Sequence, residues 1–360
     1  MANTTVAAEN RVKQWERNYH REYVRANRFR RYMGTSMNSI IMLKEDLTKK
    51  PGDRINLMLT GALDKSGGAN DGSTPLVGNE KALPNAGFGI DVSIVRDATV
   101  VNVEEEQASP IDIFNAGKVA LKDLQMQYLR DDIITAMGSI NGVAYASASE
   151  GQKDAWLATN SDRVQFGALA SNNSGNDHSA SLLNVDAVND TLTSDLVSVL
   201  KRKAQNAVNV NAVGIRPFKY GEDEETFVMF APSYAWRDLK KDLEQNHEQA
   251  MERGKSNPLW TGANTLYWDG VIIREIPEIP ALGAVGAASA RVEPVYLCGT
   301  QALGVAWAKR TKMTRRKEDD YEFQRGVGFM EMRGVDKILY GASGKQWGMV
   351  TGYVAAALDA

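Results

Sequence analysis

Alternating apolar and polar positions predict two strands in the first third of the chain, at residues 54–60 and 90–103. The glycine-rich connection between them, residues 61–89, is far longer than the usual loop of about 4–6 residues. A two-stranded hairpin is marginally stable alone in water, so its apolar face needs a cover. That cover is either the core of the same chain or a neighbouring copy. The residues expected on the apolar face are Ile55, Leu57, Leu59, Ile90, Val92 and Ile94.

Apolar residues spaced by three and four positions predict four helices, at residues 11–33, 109–137, 193–206 and 233–253. Ser109 is the predicted N-cap of the second helix, followed by Pro110, and Ser233 is the predicted N-cap of the fourth. The second helix is expected to form a rod roughly 40 Å long at 1.5 Å per residue. It would serve as a spine on which sheets pack.

The rest of the chain mixes strands with these helices without regular alternation, which favours an α+β fold over a doubly wound parallel sheet. Residues 139–190 are rich in Ser, Ala, Asn and Gly, and we interpret them as an insertion of loops with a short element near Trp156. The further predicted strands are residues 226–231, 265–276, 295–299, 304–308, 320–333 and 346–355.

The composition is that of an ordinary globular protein, with 43% hydrophobic and 24% charged residues among 360. The single cysteine, Cys298, excludes an intrachain disulfide, and its apolar strand context predicts a small buried side chain. No apolar run approaches the roughly 20 residues that cross a bilayer, and the first residues lack a secretory signal pattern. We therefore expect neither a membrane partner nor export.

Charge is unevenly distributed, because residues 1–50 carry a net charge of +6 while the whole chain has −3. On the predicted first helix, one face is basic and the opposite face is aromatic. The basic face is either solvated or directed at nucleic acid or an acidic neighbouring chain, without base recognition. Its residues are Arg17, Arg21, Arg25 and Arg28.

Catalytic signatures are missing from the sequence. We expect His20, His178 and His247 to be surface residues, and there is no metal-ligand spacing, nucleophile elbow or phosphate loop. The acidic runs 104–106 and 318–320 are either metal sites or, as we expect, solvated or paired with the basic run 309–317. Such complementary patches suit a contact between copies. We predict no catalytic, metal or cofactor residue, and no cofactor.

A set of residues along 40–100 carries a family resemblance. It consists of Asp46-Leu47-x-Lys49-Lys50-x-Gly52-Asp53, Gly78-Asn79-Glu80, and Ile90-Asp91 with Arg96. With the order of elements, it resembles the HK97-like major capsid proteins of tailed phages, and more narrowly the capsid family typified by coliphage N4. The resemblance implies five parts: an N-terminal arm (1–50), an extended β-hairpin loop (51–108), a peripheral domain with spine helix and insertion (109–188), an axial domain (189–308) and C-terminal strands returning to the peripheral domain (309–360).

The resemblance implies a structural, non-enzymatic subunit that self-assembles, as hexamers and pentamers, into an icosahedral shell around double-stranded DNA. The expected location is the virion capsid, after assembly in the host cytoplasm. Portal, scaffolding and decoration proteins are further partners that it allows, and DNA contact would be non-specific. The implied inter-subunit contacts are Asp53, Arg54, Glu80 and Arg96. The alternatives are an encapsulin-like nanocompartment around protein cargo and, as a different class, a metal-dependent hydrolase using the acidic runs.

Overall fold

The computed structural model describes residues 25, 27–45, 52–66, 68–69, 72–73, 75–109, 111–219, 225–243, 265–317, 323–341 and 344–359. The chain forms two compact units. Unit 1 comprises residues 1–27, 94–129 and 310–332, and unit 2 comprises residues 28–93, 130–309 and 333–360. Most of the predicted first helix lies outside the described residues. Its end is a 3-10 helix, Arg28–Tyr32, followed by a strand rather than by further α-helix.

The described helices are α1 (Val103–Ala108), α2 (Ile113–Gly138), α3 (Glu150–Asn160), α4 (His178–Leu183), α5 (Ser194–Asn206) and α6 (Ser233–Asp242). The long α2 confirms the predicted rod, but the predicted start of this helix at residue 109 is wrong. Ser109 follows α1, and Asp112 caps α2 by accepting the N–H of Asn115 at 2.9 Å. Thr193, the predicted first residue of the third helix, is the N-cap of α5, and its hydroxyl accepts the N–H of Leu196 at 3.3 Å. Ser233 is the first residue of α6 rather than its cap, which is Pro232.

The strands are β1 (Met33–Gly34), β2 (Ile41–Lys44), β3 (Arg54–Thr60), β4 (Asn85–Asp91), β5 (Ser93–Asn102), β6 (Val164–Phe166), β7 (Phe218–Lys219), β8 (Glu225–Ala231), β9 (Thr265–Trp268), β10 (Val271–Glu275), β11 (Val292–Cys298), β12 (Leu303–Arg315), β13 (Gln324–Lys337), β14 (Leu339–Tyr340), β15 (Lys345–Gln346) and β16 (Met349–Ala355). The mixture of helix and strand confirms the α+β class and is consistent with an HK97-like fold.

Unit 2 is built on a sheet with strand order β6-β16-β11-β8-β10-β9, on which β7 also pairs with β8. Helices α5 and α6 bury Leu196, Leu200 and Leu239 against its apolar strands. The predicted single strand 265–276 is wrong. It is a tight hairpin of β9 and β10, because Asp269 and Gly270 both adopt positive φ, as the two-residue turn between paired strands requires.

Residues 139–190 are not the loop-rich insertion that their composition suggests. They supply α3, α4 and β6, and β6 pairs in parallel with β16 inside the main sheet of unit 2. Trp156, Leu157 and Phe166 are buried in one apolar cluster with residues of the sheet. Ser149 and Gln152 form a complete capping box at the start of α3. Polar caps and turns therefore dominate the composition of a segment that still contributes buried apolar side chains to the core of unit 2.

Unit 1 contains the adjacent strands β12, β13 and β5, with β13 in the middle. The residues of α2 in this unit pack on one face of these strands. Their shared core consists of Leu121, Val327 and Phe329, with Val95, Phe114, Leu124, Tyr128 and Met313 packed around them.

Candidate assembly surfaces

The hairpin of β3 and β4 confirms the first predicted strand and its alternation. Ile55, Leu57 and Leu59 are buried, while the residues between them are exposed. Their cover is the same chain: the cluster includes Met42, Ala306 and Ile338, all in unit 2. Of the two alternatives for the cover of these strands, the core of the same chain is therefore correct.

The second predicted strand, 90–103, is two strands that meet at Val92. The N–H of Val92 donates to the carbonyl of Asp53 at 2.9 Å, which ends the β3–β4 ladder. Beyond this point the alternation changes sides. Val95 packs in the core of unit 1, whereas Ile94, expected on the apolar face, is 58% exposed.

The loop at the end of the hairpin, residues 61–84, has exposed apolar side chains. The N–H of Gly61 donates to the carbonyl of Pro84 at 2.8 Å, so the two ends of the loop are fastened together. Beyond this closure four aliphatic side chains are 51–86% exposed: Leu63, Leu76, Val77 and Leu83. Scattered exposed apolar residues are normal, but four on one projecting loop form a surface suited to contact with another molecule.

The predicted inter-subunit residues of unit 2 are exposed and lie around this hairpin. Asp53 and Arg54 stand at the start of β3, and Arg54 Nε lies 3.5 Å from the Oδ1 atom of Asp91 across the strand pair. Glu80 is in the loop, where its Oε2 accepts the N–H of Gly78 at 2.7 Å. The structure thus brings Arg54 and Asp91 together, and it keeps Glu80 within its own turn.

Arg96, the fourth predicted contact residue, belongs to a basic sheet face that the sequence analysis missed. Because successive strand residues point to opposite faces, the even-numbered residues of β5, β12 and β13 in unit 1 lie opposite the core that packs on α2. We call this side the helix-free face, because α2 packs on the other side of the described sheet. A Cβ at Gly326 would lie 3.1 Å from the Cβ of Arg316 and 3.3 Å from Val100, which places their side chains together on this face.

In the described sheet of unit 1, acidic residues lie on one side only, whereas basic residues lie on both. Among the described even-numbered residues of 94–100, 310–316 and 326–332, none is acidic and four are basic: Arg96, Arg310, Lys312 and Arg316. The acidic residues point to the helix side. There Glu331 Oε2 accepts from Gln125 at 2.8 Å and from Thr311 at 2.7 Å. Asp97 accepts the hydroxyl of Tyr128 at 3.0 Å, which raises the pKa of that phenol.

Of the predicted arginine face, only Arg25 and Arg28 lie within the described residues. Arg25 is exposed. The guanidinium of Arg28 donates to the carbonyl of Glu275 at 2.6 Å and lies 3.8 Å from its carboxylate, so it is held by its own chain. Arg17 and Arg21 lie outside the described residues.

Several of the described carboxylates near these runs and in unit 2 have structural partners. Glu106 of α1 pairs with Arg325 at 3.2 Å, and not with the basic run 309–317. The run 318–320 lies outside the described residues. A second group of acidic residues lies in unit 2, where one carboxylate oxygen from each lies within 4.8 Å of the others: Glu150, Asp154 and Asp177. Asp154 accepts the N–H of His178 at 2.8 Å, and Asp177 caps α4.

His178 is buried, which contradicts the surface position expected for it. It is 1% exposed, and its Nε2 lies 3.4 Å from the hydroxyl of Tyr353. Burial lowers the pKa of His178 to about 4, so the ring is neutral at pH 7. Cys298 is buried as predicted, and burial raises the pKa of its thiol to about 12. His20 and His247 lie outside the described residues. No helix in the described part of the chain is long and apolar enough to cross a membrane.

The long helix packed on a sheet and the hairpin with its long loop are consistent with an HK97-like α+β fold. The model of the family described as phage capsid protein matches residues 3–358, and the chain belongs to this family. It is a structural major capsid protein of a tailed bacteriophage, located in the virion capsid. Among curated proteins, none matches the chain.

Solved capsid structures agree with this assignment. The chain is similar to the cyanophage Pam1 capsid, with 37% identity, 100% coverage of both chains and a TM-score of 0.88. It shares its fold with the capsid of Ralstonia phage GP4, at 18% identity and a TM-score of 0.77, and the match covers 99% of this chain and 100% of the GP4 chain. The same holds for the capsid of Helicobacter pylori bacteriophage KHP30, at 12% identity, 96% and 95% coverage and a TM-score of 0.67. The family match and the similarity to the Pam1 capsid favour a phage capsid over an encapsulin-like compartment.

Proposed function

We propose that the subunit binds its neighbours in the shell through the loop 61–84 and the helix-free face. The observation that carries this proposal is the exposed aliphatic set of the loop. Because β3 and β4 are already covered by their own core, the loop is free to reach a second copy without loss of the fold of its own subunit. Asp53, Arg54 and Glu80 would border that contact, and Arg96 would lie in the helix-free face.

Charge supports the second contact surface. Four cations on a face without carboxylates attract an acidic segment of a neighbouring copy, and the same charges disfavour a basic partner. Each such contact is weak in isolation. A closed array of hexamers and pentamers is nevertheless stable because every subunit makes several contacts at once.

We further propose that the shell encloses double-stranded DNA of a phage of the N4 type, and that the arm residues Arg17, Arg21 and Arg25 meet DNA phosphates or a neighbouring chain without base recognition. Assembly would take place in the host cytoplasm, with portal, scaffolding or decoration proteins as further partners. The five parts implied by the family resemblance would be the functional divisions of the subunit. We propose no enzymatic activity.

Replacement of residues 62–83 by Asn-Gly tests the loop. The N–H of Gly61 already donates to the carbonyl of Pro84, and the variant also carries Pro84→Thr because a two-residue turn needs an N–H at that position, which proline lacks. We expect a subunit with wild-type circular dichroism that fails to form shells in sedimentation experiments. The point variant Leu76→Ser/Val77→Ser should lower shell yield, and Lys65→Ser in the same loop is its matched control. Normal shells from the shortened chain would refute the proposal.

The helix-free face and the arm are tested separately. Arg310→Gln/Lys312→Gln should reduce shell yield, whereas Arg315→Gln, on the helix side and 5.8 Å from the ring of Phe114, is the control. The triple variant of Arg17, Arg21 and Arg25 to Gln should lower encapsidated DNA more than subunit stability, with Arg28 kept because it bonds to Glu275. Unchanged DNA content would contradict the role of the arm.

A further inference from the structure

Unit 2 contains a cavity of about 420 Å³ between the end of α2, the segment around Tyr145 and the strands β11 and β16. Its volume lies in the range of small-molecule sites, roughly 300–1,000 Å³. The walls are largely aromatic and aliphatic. The lining residues that define them are Ile134, Met137, Tyr145, Trp156, Tyr296 and Tyr353.

Two buried polar groups belong to this cavity and have no role in the proposed assembly contacts. Lys337 and Thr351 both line it, and each is only 2% exposed. Lys337 Nζ donates to the carbonyl of Met137 at 3.0 Å and lies 5.7 Å from the centre of the Trp156 ring. Thr351 Oγ1 is buried without a hydrogen-bond partner. A buried hydroxyl left unsatisfied costs free energy that a ligand acceptor would recover.

The described lining of the cavity contains a basic residue but no acidic residue. Lys337 is the ionisable cation, and none of the described residues that line the cavity is acidic. The nearest acid in sequence, Asp336, is not part of the lining, and its carboxylate accepts the backbone N–H of Lys337 at 2.7 Å. Burial lowers the pKa of Lys337 to about 7, which reflects the cost of keeping an ammonium group there. A ligand anion within the cavity would offset that cost.

We propose that this cavity binds a small monocarboxylate with an aromatic or aliphatic body. The carboxylate would accept hydrogen bonds from the Lys337 ammonium and the Thr351 hydroxyl. The body would lie against Trp156 and the tyrosine rings, where apolar contact supplies affinity. This site is separate from the loop 61–84 and from the helix-free face, so its occupancy does not depend on the proposed assembly contacts.

Equilibrium dialysis of purified shells against 1-naphthoate tests the site, with uncharged 1-naphthalenemethanol as the matched ligand. Wild-type shells should bind naphthoate at one per subunit, at least tenfold more tightly than the alcohol. Lys337→Met should remove this preference. Thr351→Val should weaken naphthoate binding severalfold and leave binding of the alcohol unchanged.

A filling variant keeps the test decisive if Lys337→Met does not fold. Ala281→Trp places a large ring in the lining and should abolish binding of both ligands, while Ala170→Trp, at an exposed position outside the lining, should retain it. Equal affinity of wild-type shells for the two ligands, or no binding of either, would overturn the proposal. A naphthoate preference that survives Lys337→Met would also overturn it.

Discussion

His178 makes the stability of the subunit depend on pH, because its neutral ring is buried. The folded pKa of about 4 lies below the ordinary value of 6.5. As the pH falls, the unfolded chain therefore takes up the proton first. The stabilising contribution of the neutral ring is complete above about pH 6.5 and is lost progressively down to about pH 4. At about 1.4 kcal/mol per pKa unit, the full loss is on the order of 3 kcal/mol.

The variant His178→Phe isolates this effect, because it keeps an aromatic ring and cannot titrate. The ring of His178 lies 5.4–6.2 Å from four aromatic rings, those of Tyr145, Trp156, Phe166 and Tyr353. Urea unfolding of unassembled subunits between pH 7.5 and pH 4 gives the free energy of unfolding of both proteins. Titration of the carboxylates is common to both and cancels in the difference.

The difference in the free energy of unfolding, variant minus wild type, should rise by about 3 kcal/mol between pH 7 and pH 4. A difference that stays constant within about 0.5 kcal/mol over this range would refute the reasoning. It would mean that the folded protein admits a charged ring at position 178 as readily as water does.

Two further stability predictions use neighbouring control positions. Leu57→Ala should lower the free energy of unfolding by about 2–5 kcal/mol, because the side chain is buried in the hairpin cluster, while Met58→Ala, 73% exposed, should change it by less than about 0.5 kcal/mol in the same urea assay. Gly167→Ala should be strongly destabilising, because φ is +57° and the new Cβ would lie 2.0 Å from Oδ1 of Asp190. Gly175→Ala, with φ of +61° and open space around it, should cost only about 1–2 kcal/mol, and equal losses at the two glycines would contradict the steric argument.

The spacing of apolar residues predicted those helices and strands whose apolar side is the side that is buried. Burial alternates along residues 54–60, and Ile55, Leu57 and Leu59 of β3 are buried because one side of the strand meets a core. The rod-like α2 and the helix α5 likewise follow from the spacing of their apolar residues. The strand break at Val92 was not visible, because apolar alternation continues through it. Only the pairing of β4 with β3 reveals that β5 belongs to another sheet surface.

Of the two proposed assembly surfaces, the loop was visible in the sequence and the helix-free face was not. The sequence predicted an unusually long glycine-rich connection, because residues 61–89 far exceed the usual loop length. It did not show the helix-free face. The alternation of Arg310, Lys312 and Arg316 at even positions was a signal for it, but Arg96 joins them only through strand pairing.

The sequence by itself determined the α+β class, the capsid resemblance, the first hairpin strand and the long helix, because these depend on neighbours within a few residues. Tertiary structure decided what covers the hairpin, where the acidic residues point and that His178 and Lys337 are buried. Those properties depend on side chains far apart in the chain, such as His178 and Tyr353. Burial and charge environment are set by the residues that folding brings together, and short-range spacing carries no information about them.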